Sequence, residues 1–460
     1  MDFKPFDHQK TGLSRFKDKA YGAIFWEPGC GKTKTMIDIL EHKCMTEEID
    51  AALVITTKGL MLNWAEVELP KHSTIQYETQ VWKPDPLKIT NVMYYFIVNI
   101  DALIGATFPD ALKEFMRAYP KFALVLDEST VAKNMKAKRT KMVLRIAGRA
   151  KVRFIMSGTP VTDSPMDLYS QCEILAPRLL GYNSIYAFKA DYAIIKRMKF
   201  GSRTFDVVAG YRNLDQLRES LLPFASVVKK ADCLDLPPKV YRTIHVPFTT
   251  EQTEAYNDLR TKAIAWIQDH EVTALNAVGL INRLLQICAG QIKLATGNYV
   301  SIPNNRISTL TELVFEADKT IVWTSFVNTA TDIMAALEKN AIHLYSGQGI
   351  NERQTTINAF KKSKVTPFAL VANPASAGHG ITLTESHNVI YYSNSWSLEH
   401  RLQSEFRTDR IGQTESVLYT DLITKGTVEE RVVEMLTTKR NIADTIITSN
   451  PKQFLKEILL

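Results

Sequence analysis

Cysteine is scarce in this sequence: Cys30, Cys44, Cys172, Cys233 and Cys288 are the five in 460 residues, far apart and never in a C-x-x-C pair. An odd, dispersed set offers neither a disulfide framework nor a zinc module, and it fits a reducing cytoplasm. Long apolar runs are missing as well. No window approaches the ~18 uninterrupted apolar residues of a membrane span, so no membrane association is expected. The opening MDFKPFDHQK has no apolar stretch behind its charges, so no secretory signal is expected either. There is no 20–50-residue repeat and no low-complexity tract, which excludes solenoids and fibrous arrays. Charge of one sign is not dominant: 56 Lys+Arg against 49 Asp+Glu leave a formal +7. That balance permits a polyanionic partner without demonstrating one.

What is present is ordinary globular composition, 45% hydrophobic and 23% charged, in a chain long enough for two to four domains. Short β-branched runs, Tyr21–Phe25, Ala51–Thr56, Val92–Val98, Phe122–Leu126 and Arg153–Met156, alternate with amphipathic stretches. The rhythm returns at Thr320–Ser325, Phe368–Val371, Asn388–Tyr392 and Val417–Leu422, with helical patterns at Asn351–Lys362 and Leu398–Arg410. Alternation of this kind predicts parallel sheets covered by helices. The expected organisation is an α/β lobe over 1–177, a mostly helical insertion and connector over 178–302, a second α/β lobe over 303–440, and a tail over 441–460. Within the insertion, Thr250–Gln286 reads as helix throughout, with Tyr256, Leu259, Ala263, Trp266 and Ile267 near a 3–4 spacing. Pro237 and Pro238 suit a connector at its edge.

Three segments of the first lobe carry chemistry. Trp26-Glu27-Pro28-Gly29-Cys30-Gly31-Lys32-Thr33 stands between an apolar strand and a helical run. Strand, glycine loop and helix form a phosphate cradle, in which Gly29 and Gly31 let backbone N–H groups close on oxygens. Lys32 neutralises β/γ charge, and the Thr33 hydroxyl suits Mg²⁺. The commoner consensus has glycine where this chain has Trp26. A hundred residues on, Phe122–Leu126 runs into Asp127-Glu128-Ser129-Thr130. An Asp-Glu pair after a strand is more often a solvated loop, but behind a phosphate loop it sits at the carboxyl edge of the sheet. There Asp127 would reach Mg²⁺ and Glu128 would polarise the attacking water. Ser157-Gly158-Thr159-Pro160 follows another strand and reads either as a plain turn or as a hydroxyl relay.

Two basic features complete the pattern. Residues 131–153 hold nine Lys or Arg and no acid, and Lys136, Lys138, Arg139 and Lys141 are candidates for a phosphate-backbone contact. Near the other end, Gln403, Arg407 and Arg410 stand at i, i+4 and i+7, which is one face of a helix. A guanidinium fork presented to a transferring phosphoryl group stabilises its charge.

In this order the segments resemble the motifs of superfamily two helicases, specifically the Swi/Snf-type branch of double-stranded nucleic-acid translocases, over most of the chain. Phe6-Asp7-His8-Gln9 resembles the adenine-reading glutamine motif, with Gln9 as reader. Leu53–Pro70, with Asn63-Trp64, resembles the first nucleic-acid-contact segment. Ala375-Ser376-Ala377-Gly378-His379-Gly380-Ile381-Thr382-Leu383 resembles the fifth motif, and Arg407-x-x-Arg410-Ile411-Gly412-Gln413 the arginine-finger register. Two departures stand out. Ser129-Thr130 replace the Ala-His that usually follows Asp-Glu, and Pro374-Ala375 replace a Thr-Arg pair common in chromatin remodellers.

The resemblance implies two RecA-like parallel-sheet lobes with the helical insertion between them. It also implies ATP and Mg²⁺ as ligands, hydrolysis in a cleft between lobes, and movement along DNA, duplex in preference to single strands, by a monomeric motor. The compact form resembles members encoded by phages and mobile elements, which would place it in the cytoplasm or nucleoid of a bacterial host. A strand-separating DNA or RNA helicase, or a non-catalytic clamp that senses ATP, stays open at this point.

Overall fold

The computed structural model describes residues 5–200, 203–233, 236–269, 274–294, 296–365, 368–377, 381–410 and 412–445. The chain divides into two compact units. The first comprises Met1–Ala193 with Tyr211–Asp235, and the second Ile194–Gly210 with Leu236–Leu460.

The first unit holds, among the described residues, a seven-stranded sheet. Its strands are β1 (Tyr21–Trp26), β2 (Ala51–Thr56), β3 (Tyr77–Val81), β4 (Met93–Asn99), β5 (Phe122–Asp127) and β6 (Val152–Met156). Beyond the strand pair β7 (Ala193–Phe200) and β8 (Arg203–Tyr211), β9 (Ala225–Val228) completes it. The order is β3-β4-β2-β5-β6-β1-β9 and every pairing is parallel. Strands β2 and β5 are buried along their whole length, as expected where helices cover both faces. Ile24, Trp26, Val54, Ile97, Val125 and Phe154 pack against Met36, Ile37 and Leu40 of helix Lys32–Met45. On helix Phe108–Ala118 and beyond it, Phe115 and Tyr119 join Tyr94 and Phe96 in an aromatic cluster, with Tyr94 and Tyr119 stacked at 4.9 Å.

The second unit repeats the plan with six parallel strands among the described residues, in the order β10-β17-β16-β13-β15-β14. These are β10 (Lys239–His245), β13 (Lys319–Trp323), β14 (Ala341–Leu344), β15 (Phe368–Ala372), β16 (Asn388–Tyr391) and β17 (Val417–Ile423), with the antiparallel pair β11 (Gln291–Lys293) and β12 (Tyr299–Ser301) beside them in sequence. Successive residues alternate faces: Ile321, Leu370 and Val389 enter one core cluster, and Val322, Val371 and Ile390 the other.

Residues 178–302 do not form a body of their own. Strand β9 extends the first sheet and β10 the second, so the segment expected to be a mostly helical insertion supplies an edge to each. The predicted continuous helix is two, Thr250–Asp269 and Ala274–Cys288, with 270–273 outside the described residues. Their apolar stripes need a partner, and they find it in the C-terminal helix Val428–Thr445. Tyr256, Ala263, Ile281, Leu284 and Leu285 cluster with Val432 and Leu436. Arg306, 1% exposed, forks onto both Glu429 carboxylate oxygens at 2.8 and 2.6 Å and fixes the start of that helix. The helix also takes in 441–445 of the expected tail; 446–460 lie outside the described residues.

Candidate ATP site

Four loops at the carboxyl edge of the first sheet meet because the strands that carry them are neighbours in the order β5-β6-β1-β9. The phosphate loop leaves β1, Asp127-Glu128 ends β5, the Ser157–Pro160 turn leaves β6, and Lys229–Cys233 follows β9. Gly29 (φ +97°) and Gly31 (φ +77°) bend the phosphate loop through the left-handed region. At Gly31 space matters too: a Cβ would stand 2.1 Å from Gln9 Nε2, whose amide donates to the Gly31 carbonyl at 3.3 Å. His8 Nε2 lies 2.8 Å from the Cys30 carbonyl oxygen. Gln9 is thus 6% exposed and fastened to the loop, with its Oε1 accepting from Phe6 N.

Helix Lys32–Met45 begins at the loop, so Lys32 and Thr33 lie in its first turn, where backbone N–H groups and the helix dipole favour an anion. Lys32 Nζ donates to the Trp26 carbonyl at 2.9 Å, back across its own loop. Trp26 explains its departure from glycine. Its buried indole donates to Ser226 Oγ on β9 at 2.9 Å and packs beneath helix Asp7–Phe16 at Gly12, where a Cβ would lie 2.7 Å from the ring.

Asp127 is 6% exposed. Its Oδ2 accepts from Trp64 Nε1 at 2.8 Å and Thr56 Oγ1 at 3.4 Å, while its Oδ1 accepts the Glu128 backbone N–H at 3.1 Å. Burial, then the neighbouring Glu128 carboxylate, pushes the Asp127 carboxyl up to about 6, against the Trp64 hydrogen bond and the Lys32 charge. Glu128 sits at φ +55°, a left-handed conformation that a non-glycine residue adopts at some cost and that gathers at functional sites. A hydroxyl and a carboxylate whose charge burial disfavours are hard oxygen donors of the kind Mg²⁺ takes, so Thr33 and Asp127 fit that ion.

The Ser157–Pro160 turn packs directly on the phosphate loop: a Cβ on Gly158 would stand 2.5 Å from Pro28 Cδ, and no side chain larger than hydrogen fits there. Ser129 Oγ donates to Gln171 Oε1 at 2.6 Å, and Gln171 Nε2 donates to the Pro160 carbonyl at 2.7 Å and to Asp167 O at 2.8 Å. The hydroxyl that links the Asp-Glu segment to that turn through Gln171 is therefore Ser129, at the position where relatives usually have alanine, while the Thr130 hydroxyl, at the histidine position, is buried with no hydrogen-bond partner among the described residues.

Sequence reasoning missed Gln171, Trp64's bond to Asp127, and Lys230. Lys230 is 5% exposed, and its N–H donates to Glu27 Oε2 at 2.8 Å. Each of these bonds spans from 42 to 203 residues of sequence, and no local motif announces it.

In the second unit the helix expected to carry both arginines is Leu398–Glu405 and ends before them, so Gln403, Arg407 and Arg410 do not share a helical face. Past its end the Arg407 carbonyl accepts from Leu383 N at 2.8 Å, and the Thr408 side-chain hydroxyl meets Tyr419 OH at 2.9 Å. Both arginines nonetheless come to the fifth-motif segment. Arg407, 5% exposed, donates to the carbonyls of Gln403 (2.9 Å) and Ile381 (3.2 Å). Arg410, partly exposed, donates to Phe406 O (2.8 Å) and Thr382 Oγ1 (3.1 Å). Gly378, His379, Gly380 and Ile411 lie outside the described residues.

The basic run forms helix Lys138–Ala147. Lys138, Lys141 and Arg145 stand exposed on one side and Lys136 just before it, while Arg139 reaches Asp101 at 3.4 Å.

A phosphate loop on one strand and paired carboxylates two strands away, on a parallel sheet, define a P-loop nucleotide-binding unit. Comparison with known proteins narrows the class. The SNF2-related domain family matches residues 8–291, and the helicase conserved C-terminal domain matches residues 305–412. The chain belongs to the SNF2-related family of nucleic-acid-dependent ATPases, with two RecA-like lobes.

It is similar to the human "DNA annealing helicase and endonuclease ZRANB3", 28% identical over 94% of this chain and 39% of that protein. It is also similar to "Putative protein p41" of Acyrthosiphon pisum secondary endosymbiont phage 1, 24% identical over 97% of this chain and 98% of that protein. Among solved structures, "Sulfolobus solfataricus SWI2/SNF2 ATPase core in complex with dsDNA" is 26% identical, covering 96% of this chain and 92% of that one, with a TM-score of 0.44. The chain spans about two-fifths of the length of the longer curated relatives it matches. Among the described residues no helix is long and apolar enough to cross a membrane.

Proposed function

We propose that this chain hydrolyses ATP to move along duplex DNA without separating its strands. The observation that carries the reading is the convergence of Lys32, Thr33, Asp127 and Glu128 at the carboxyl ends of β1 and β5, two strands apart on one parallel sheet, with the Ser157–Pro160 turn of the strand between them packed on the phosphate loop. In this reading Gln9 reads the adenine, the N–H groups from Gly29 to Thr33 hold the β- and γ-phosphates, and Lys32 exchanges its Trp26 carbonyl for phosphate oxygen. Thr33 and Asp127 would hold Mg²⁺, which would supply positive charge against the phosphates. Glu128 accepts the proton of the attacking water, and its left-handed backbone aims the carboxylate. Arg407 and Arg410 of the second unit stabilise the charge of the phosphoryl group in flight, Arg410 foremost because its guanidinium is the more exposed of the two.

The track is gripped by phosphate contacts, among them Lys136, Lys138, Arg139 and Lys141, so affinity is largely independent of sequence. The printed name of the human relative, a DNA annealing helicase, supports DNA as the track, and the phage relative of matching length supports a phage-type member working in a bacterial cell, where a monomer suffices. The test pairs two substrates. The protein displaces the third strand of a triplex and leaves a forked duplex intact. Efficient unwinding of the fork establishes a strand-separating helicase instead, and ATP binding with no turnover on any nucleic acid establishes a clamp.

A further inference from the structure

Cys30 and Cys233 are 203 residues apart in sequence, yet their sulfurs lie 3.6 Å from each other. The pairing of β9 with β1 brings them together. Trp26 is in register with Val228, and the turn after β9 then folds over the phosphate loop, tied by Lys230 N to Glu27 and with Lys230 Cε close to Gly29. Cys30 is 1% exposed and occupies the position between Gly29 and Gly31; Cys233 is partly exposed, two residues before the chain leaves the first unit. Cys44, Cys172 and Cys288 are free as well, and none of them shows a second sulfur in hydrogen-bond range among the described residues.

We propose that Cys30 and Cys233 form a reversible disulfide that closes the phosphate loop to ATP under oxidising conditions. This rests on the nucleotide-site reading for its consequence, though not for its chemistry. The oxidant is a peroxide. The accessible Cys233 sulfur attacks one peroxide oxygen, so an S–O bond forms as the O–O bond breaks, leaving a sulfenic acid and water. The Cys30 sulfur then displaces that oxygen: the S–S bond forms, the S–O bond breaks, and the Cys30 proton leaves with the departing hydroxide as a second water. Each sulfur gives up one electron and the peroxide takes two. Burial and the neighbouring Cys233 push the Cys30 thiol up to about 12, so Cys30 is not the sulfur that meets the oxidant first.

The bridge has a geometric cost for the loop. Disulfide sulfurs stand ~2.05 Å apart, so the pair must close from 3.6 Å. The loop that moves is pinned by two left-handed glycines and by the Gln9 and His8 contacts. Drawing Cys30 toward Cys233 turns the neighbouring N–H groups away from where phosphate oxygens bind and fixes a loop that must yield for Lys32 to release Trp26.

The experiment uses the full chain, reduced, desalted and then treated with hydrogen peroxide. Digestion without reductant and mass spectrometry report the linked peptide, and titration with a fluorescent ATP analogue reports affinity. The expected results are a Cys30–Cys233 peptide and an affinity loss on the order of tenfold or more, both reversed by dithiothreitol. C233S should bind the analogue like the reduced parent and keep its affinity after peroxide. The proposal is overturned if the linked peptide is absent, if it forms without loss of affinity, or if C233S loses affinity to the same degree. Failure of the reduced parent to bind the analogue would count against the nucleotide site, while the linked peptide still decides the thiol pair.

Discussion

The Ser129 hydroxyl donates to Gln171 Oε1 at 2.6 Å, and through the other end of that amide the Asp-Glu segment is joined to Pro160. Both side chains are fully buried. S129A leaves an amide oxygen with no donor in a site that water does not reach, a cost of roughly 1–3 kcal/mol. The double variant S129A/Q171L should cost less than the sum of the singles, because it removes both halves of the bond. Chemical denaturation of the four proteins checks this. If Ser129 also couples the two segments in turnover, nucleic-acid stimulation of the ATPase falls more in S129A than the basal rate does.

Asp127 titrates against its own burial. Its folded value near 6 lies above the ordinary carboxylate value of 3.8, so the nucleotide-free fold is favoured by the protonated form and loses that stability as pH rises from about 4 through about 6. D127N, which keeps an oxygen for Trp64 and carries no charge, should be more stable than the parent by roughly 2–3 kcal/mol at pH 8, with the gap closing toward pH 4. It should also fail to turn over ATP. Thermal melts of both proteins across that range, without nucleotide or magnesium, provide the measurement.

Arg407 and Arg410 should separate by stability. Arg407 is buried and donates to two backbone carbonyls, so R407A leaves those acceptors unpaired and lowers the melting temperature of the second unit as well as turnover. Arg410 is more open, and R410A should lower kcat by more than tenfold with little change in ATP affinity or melting, the pattern of a group acting on the transition state. Equal losses of affinity and turnover in R410A would remove it from the catalytic role.

On the basic helix and just before it, Lys136, Lys138 and Lys141 are exposed, whereas Arg139 is engaged with Asp101. Neutralising all four should weaken duplex binding and flatten its log–log salt dependence by up to ~0.9 for every DNA phosphate no longer neutralised. R139A alone should do less than any of the lysine variants. Basal ATPase persists in all of them. An unchanged salt slope would make this a solvated face and nothing more.

Much of the molecule is legible in its sequence because the signals are local. Ala51–Thr56 is a strand on its apolar content alone, and the phosphate loop is a motif of eight residues. What sequence does not reveal is carried by pairing between distant segments. Strand β9 is only four residues long, Ala225–Val228, and it becomes a strand because β1 offers it an edge. The helix expected to reach Arg410 ends at Glu405, and beyond it the backbone carbonyl of Arg407 is taken by Leu383 N, a partner 24 residues away. Cys30 and Cys233, scattered in sequence, meet for the same reason. The candidate site follows suit: Lys32, Thr33, Asp127 and Glu128 are visible as motifs, while Trp64 on Asp127, Gln171 on Ser129 and Lys230 on Glu27 need the fold.

The central claim is a motor driven by ATP on duplex DNA, and the steady-state ATPase rate compared across double-stranded DNA, single-stranded DNA and RNA tests it most directly, with E128Q as the inactive control. The account predicts strong stimulation by double-stranded DNA, weaker stimulation by the other two, and no turnover by E128Q despite retained ATP binding. Stimulation greatest with single strands or RNA, or normal turnover by E128Q, would contradict it.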